Sequence, residues 1–67
     1  MDWNYIDENN RDTYPLNNQD VLIWDDYYGY NVCAHYEKTF EDKNGVTYEH
    51  VLGWVPVPEP INKRAFI

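Results

Sequence analysis

Sixty-seven residues can enclose one hydrophobic core at most, because a chain this short buries only about 60% of the surface it exposes when unfolded. Ordering costs about 1.5 kcal/mol per residue, and with a lone Cys33 unable to close an internal disulfide, the twelve aromatic residues are the main source of offsetting burial. Twelve acidic against five basic side chains give a net charge of -7, the wrong sign for clamping a phosphate backbone, which excludes direct nucleic-acid binding as an expectation.

No apolar run approaches the roughly 18 residues of a membrane span, and Met1-Asp2-Trp3-Asn4 lacks the charged and apolar regions of a signal peptide. A soluble, intracellular protein is expected, with no membrane partner. Seven of the twelve acids, and only Arg11 among the bases, lie in residues 1–36, so the negative field belongs to the first half. The whole chain, 1–67, reads as a single small β domain with an arm (1–18), a meander (19–55), and a Pro-rich segment with a tail (56–67).

In the arm, Trp3, Tyr5, Ile6, Tyr14 and Leu16 are interspersed with Asn and Asp, and Pro15 biases Tyr14 toward extended backbone. An extended arm that covers the sheet is predicted. Val21-Leu22-Ile23-Trp24 is a β-branched and aromatic run between Asn17-Asn18-Gln19-Asp20 and Asp25-Asp26, the pattern of a strand bounded by turns. A second strand is predicted over Tyr30 to Phe40, and a third over Val46 to Val55. The third ends where Pro56, Pro58 and Pro60 remove ladder donors. No helical periodicity appears, so the fold class is all-β, a small antiparallel sheet of three to four strands.

The turn Asp42-Lys43-Asn44-Gly45 allows its register to be chosen. A two-residue Asn44-Gly45 loop would set Phe40 against Glu49 and mismatch the apolar sets. A three-residue Lys43-Asn44-Gly45 loop, with Gly45 left-handed in a bulge, sets Asp42 opposite Val46 and Phe40 opposite Tyr48. Continued, that register places Tyr36 against Leu52 and Ala34 against Trp54, while Tyr30 and Val32 pair with Trp24 and Leu22. One face then carries Leu22, Trp24, Tyr30, Val32, Ala34, Tyr36, Phe40, Tyr48, Leu52 and Trp54 and is the expected core. The other, bearing Cys33, His35, Glu37, Glu41 and Glu49, is the expected solvent face. A lone sheet needs a partner layer, which the arm or a second subunit must supply. Residues 56–60 are expected to be stiff, polyproline-like chain, followed by the basic and apolar tail Ile61 to Ile67.

The ending Gly53-Trp54-Val55-Pro56-Val57-Pro58-Glu59-Pro60 resembles that of the short phage and prophage proteins called domain of unknown function 551, which close on Trp, a hydrophobic residue, then Pro-Leu-Pro-Glu-Pro. Pro15-Leu16-Asn17-Asn18-Gln19-Asp20-Val21-Leu22-Ile23-Trp24 is similar to that family's Leu-Pro, acidic-Gly-Gln and Val-Leu-Val strand, with the first two residues in reversed order and Asn18 in place of the Gly. Trp3 matches its usual opening Trp. The resemblance spans residues 3–60 and implies a phage accessory protein of the host cytoplasm without an established catalytic role.

Cys33, His35 and His50 are the only thiol or imidazole ligands, one short of a tetrahedral zinc set and lacking paired spacing, so no metal and no cofactor is expected. Asp7-Glu8, Asp25-Asp26 and Glu41-Asp42 are adjacent pairs whose side chains diverge along an extended chain, and no nucleophile triad or phosphate-binding Gly loop is present. No enzyme is expected. Binding remains. Asp25-Asp26-Tyr27-Tyr28-Gly29-Tyr30 sets two carboxylates beside three tyrosines in a hairpin loop, with Asp7, Glu8 and Asp12 continuing the charge. The partner these residues suit is a basic host protein, a nucleic-acid-binding enzyme or complex, inhibited in the manner of anti-CRISPR or anti-restriction factors. The alternative is a structural or assembly module that forms a homodimer or binds another phage protein.

Overall fold

The computed structural model describes residues 2–58; the tail Ile61 to Ile67, and part of the Pro-rich segment, lie outside the described residues. The fold is all-β and antiparallel, with no α-helix among the described residues. Its strands are shorter and more numerous than expected. Six strands form one sheet: β1 (Asn4–Tyr5), β2 (Asp20–Asp25), β3 (Gly29–Tyr36), β4 (Thr39–Glu41), β5 (Thr47–Tyr48) and β6 (Val51–Pro56). A single 3-10 turn, Arg11–Thr13, interrupts the arm and is capped by Asn10, whose side chain accepts from the Asp12 amide.

The spatial order is β1-β6-β2-β3-β4-β5. β2 to β5 form the expected meander, but β6 leaves it to pair with β2 on one side and β1 on the other. This topology forces curvature. In a flat sheet four strand spacings of about 4.8 Å would separate β5 from β6 by roughly 19 Å, whereas the three Cα steps from Tyr48 to Val51 reach at most about 11 Å. The sheet therefore curls, and its inner face becomes the core.

Two expected registers hold. Phe40 pairs with Tyr48 across a three-residue loop closed by Asp42 N–H to Val46 O at 2.9 Å, with Gly45 at a φ of 84°. Leu22 pairs with Val32, and Trp24 with Tyr30. Two pairs do not form. Tyr36 does not meet Leu52, nor Ala34 Trp54, because the strand predicted over Tyr30 to Phe40 breaks at a turn through Glu37 and Lys38, and Trp54 pairs with Ile23 instead.

The faces of β2 and β3 are inverted relative to expectation. The buried cluster is Val21, Ile23, Cys33, Phe40 and Tyr48, with His35 and Asp25 enclosed beside it, while Trp24, Tyr30, Val32, Tyr36 and Leu52 stand exposed. The arm covers the sheet only in part: Asn4–Tyr5 join it as the edge strand β1, Tyr5 and Leu16 stay exposed, and the covering residues lie on the inner face. Ile6 and Tyr14 pack on the core, Ile6 N–H donates to Leu52 O, and the Trp54 indole N–H donates to Thr13 O at 2.8 Å. Trp54 thus pins the arm, and β6 ends at Pro56, as a core anchor followed by a strand-terminating proline would.

Candidate functional site

The hairpin joining β2 to β3 is organised by Asp25. Its parity on β2 places it with Val21 and Ile23 on the inner face, and it is 0% exposed. One carboxylate oxygen, Oδ1, accepts from the Tyr27 and Tyr28 amides at 2.8 and 2.9 Å, an Asx-type closure of the loop. Oδ2 accepts from the His50 amide at 3.1 Å, and Asp26 N–H donates back to His50 O at 2.9 Å. A bulge between Trp24 and Asp25 brings the start of β6 into this arrangement. Asp25 is therefore removed from the set of surface contacts assigned to it. A buried charge needs hydrogen-bonding partners, and here three backbone N–H groups supply them.

With the loop clamped, Tyr27 and Tyr28 project outward, 75% and 67% exposed, and Asp26 is exposed between Asp25 and them. Tyr27 packs edge-on against His50 at 4.5 Å, and Tyr28 against Tyr48 at 5.6 Å, so both rings are braced from below. Glu49, exposed in the β5–β6 connection, joins this end of the molecule. Sequence reasoning missed Glu49 and His50, because the contact that brings them here is the return of β6 beside β2.

The remaining expected contacts divide. Glu8 lines an open groove of about 500 Å³ together with Ile6, Tyr14, Phe40, Tyr48 and Glu49. The Asp7-Glu8 turn is held by Asp7 N–H to Thr13 Oγ1 at 2.9 Å and by Lys38 Nζ donating to Glu8 O at 3.0 Å. Asp12 lies elsewhere, in a hollow shared with Arg11, Leu16, His35 and Lys38. Tyr30 is on the opposite, outer face beside Trp24 and Trp3. The structure keeps Asp26 with Tyr27 and Tyr28 at the clamped loop, places Asp7 and Glu8 in the arm turn that Lys38 holds, and separates Asp25, Asp12 and Tyr30 from the loop tyrosines.

The ionisable side chains of the interior are tuned toward inertness. Burial, assisted by the charges of Asp42 and Asp25, pushes the Cys33 thiol up to about 11, so the nucleophilic thiolate is scarce near neutral pH. Tyr48 donates its hydroxyl to Asp42 Oδ2 at 2.8 Å, which together with burial raises the phenol to about 12. Asp42 is held below the usual carboxylate range by the Val46 amide and the Tyr48 hydroxyl. Among the described residues, no three His, Cys, Asp or Glu side chains converge as metal ligands. No protein family, curated protein or solved structure matches this chain.

Proposed function

We propose that the protein is a non-catalytic binding module whose acidic, tyrosine-bearing end engages a basic surface on another protein. The observation that carries this reading is the clamped loop. Asp25 fixes the backbone of Tyr27 and Tyr28 before any partner arrives, so two large aromatic contacts are presented with little further entropy to lose. Asp26 and Glu49 flank them with carboxylates that steer a positively charged partner. With a net charge of -7, and with the resemblance of residues 3–60 to phage accessory proteins, the partner we propose is a host nucleic-acid-binding protein, met in the host cytoplasm and inhibited by occupation of its basic surface.

The test is capture from a bacterial host lysate by the tagged chain at low and high salt, beside an Asp26→Lys/Glu49→Lys variant and a Tyr27→Ala variant. All three positions are exposed, so the variants keep their fold. One basic nucleic-acid-binding protein should be recovered at low salt, weakened by salt because exposed charges are screened beyond about 8 Å at physiological ionic strength, and lost with the charge reversals. Recovery indifferent to salt and to both variants would remove this end of the molecule as the binding site.

A further inference from the structure

The inner face of the sheet is packed by Ile6 and Tyr14 of the arm, but among the described residues the outer face over β1, β6, β2 and β3 carries no second layer. Tyr5, Gly53, Trp24 and Tyr30 are aligned across the four strands on one rung, and Leu22 with Val32 continue the face on the next. Trp3, two residues before Tyr5, stacks on Tyr30 with ring centroids 6.0 Å apart, and Trp24 meets Tyr30 edge-on at 4.8 Å. Gly53 makes the approach possible: a Cβ there would lie 3.3 Å from the Asn4 carbonyl oxygen and 3.5 Å from the Trp3 ring. Together with Leu52 these residues border an open cleft of about 250 Å³ that no charged side chain of the described residues lines.

We propose that this face is the contact between two copies of the chain, packed outer face to outer face about a two-fold axis. Tyr5, Tyr30, Val32, Leu52 and Trp24 are 75%, 64%, 56%, 50% and 38% exposed. At about 150 to 250 Å² for a fully exposed aromatic and somewhat less for an aliphatic side chain, they leave on the order of 500 Å² of apolar surface on one side of the molecule. A stable interface covers about 800 Å² per partner, and in homodimers about 65% of it is apolar, which requires the same 500 Å².

Charge selects the occupant. A basic partner would find no carboxylate of the described residues in this cleft to meet it, whereas a second copy, itself at -7, approaches with least repulsion through such a surface. On the outer face the strand-borne acids Asp20 and Glu41 stand on the rung through Ala34, at the border of the apolar half. Pairing by strand addition is the poorer route, since the edge strands β1 and β5 have two residues each.

Sedimentation equilibrium of the full chain tests the proposal. The expected result is a monomer–dimer equilibrium that tightens with added salt, as screening relieves repulsion between like-charged copies. Tyr30→Glu and Tyr5→Glu should each weaken the dimer about tenfold or more, with amide dispersion in NMR spectra confirming that both variants remain folded. Asp26→Lys should leave it intact, and Tyr30→Glu should leave capture of a basic partner intact, so the two surfaces are separable. A concentration-independent monomer, or a dimer untouched by both tyrosine variants, would overturn the proposal. A monomer whose tryptophan fluorescence becomes more quenchable when residues 59–67 are removed would also overturn it, and would assign the face to the chain's own C-terminal residues.

Discussion

Asp25 has the sequence surroundings of a solvated turn residue, yet all of its hydrogen bonds serve the backbone. An isosteric Asp25→Asn change retains one oxygen and replaces the other by an N–H₂ donor. If the oxygen stays with the Tyr27 and Tyr28 amides, the new donor faces the His50 N–H; if the amide flips, it faces the other two. Either way a buried donor loses its acceptor, at a cost of about 1–3 kcal/mol, which for a domain of this size lowers Tm by on the order of 10 °C. Thermal unfolding followed by circular dichroism measures it, and an unchanged Tm would mean that the clamp contributes nothing. His35 allows a second prediction at this scale. Its Nε2 accepts from the Lys38 amide at 3.0 Å, so the ring proton lies on Nδ1, toward Leu16 O. Burial lowers its pKa, with the Leu16 carbonyl opposing, and a proton on Nε2 would abolish the Lys38 bond. The unfolded chain therefore takes up a proton at about pH 6.5 that the folded chain resists. Stability should be intact above about pH 6.5 and decline as pH falls below it. Glu37, held low first by its hydrogen bond from Arg11, and Asp42 add a separate loss only below about pH 4. Urea titrations from pH 8 to 5 should show the first decline in the native chain, and a flat profile in His35→Gln.

At the scale of the element, the β3–β4 turn is the least expected feature. Glu37 and Lys38 occupy the left-handed region at φ of 45° and 65°, the conformation of a two-residue hairpin loop for which Asn-Gly is the usual choice. Contacts outside the turn hold them there. Arg11 and Asn17 each bind the Glu37 carboxylate, Asn17 Oδ1 accepts from the Glu37 amide, and Lys38 Nζ reaches Glu8 O. Lys38→Gly relieves the backbone while losing the exposed ammonium contact, and should stabilise the fold by about 0.5–1 kcal/mol. Gly45→Ala, in a left-handed position with open space around it, should instead destabilise by about 1 kcal/mol. Parallel thermal melts check both signs. The contrast also explains what could be read in advance. Asn44-Gly45 announces its turn through its chemistry, so the bulged hairpin was legible, and the β2–β3 register followed from the apolar run around Asp25 to Gly29. Glu37-Lys38 carries no turn chemistry of its own, because, apart from His35 Nε2 accepting from the Lys38 amide, the side-chain interactions that stabilise it come from residues 20 or more positions away. Face assignment failed for a related reason. Val21-Leu22-Ile23-Trp24 is apolar on both sides, and the residues that should have marked solvent, Asp25 and His35, are buried with their hydrogen bonds satisfied. The tyrosine end was legible as composition, but its continuation through Glu49 and His50 depended on a strand pairing, β2 with β6, that the sequence does not signal.

For the whole molecule, charge and burial pull against each other. The chain carries -7 on 67 residues, and the one ion pair between side chains of the described residues, Arg11 with Glu37 at 2.9 Å, is well exposed and screened by solvent, so it offsets little of that charge. The other exposed and half-buried acids of the described residues stand on the arm, the tyrosine end, the outer ends of β2 and β4 and the β4–β5 hairpin tip, where they repel one another more strongly in the compact state than in the expanded chain. At about 0.01 M salt the screening length, near 30 Å, exceeds the 12.8 Å radius of gyration, so every acid feels the rest; at about 0.15 M it falls to roughly 8 Å and only neighbours interact. Folding should therefore be favoured by moderate salt, with Tm rising by a few degrees between those two conditions. Self-association would add to the rise, so the melts belong at protein concentrations low enough for sedimentation to show monomer, and repeating them with Tyr30→Glu isolates the intramolecular part. A Tm that falls with sodium chloride would mean that attractive pairs outweigh the repulsion, and that the surplus of carboxylates is locally compensated rather than available to a partner. A rise retained in Tyr30→Glu would establish the opposite: an under-compensated negative surface held together by a small aromatic interior, which is the electrostatic condition that recognition of a basic protein requires.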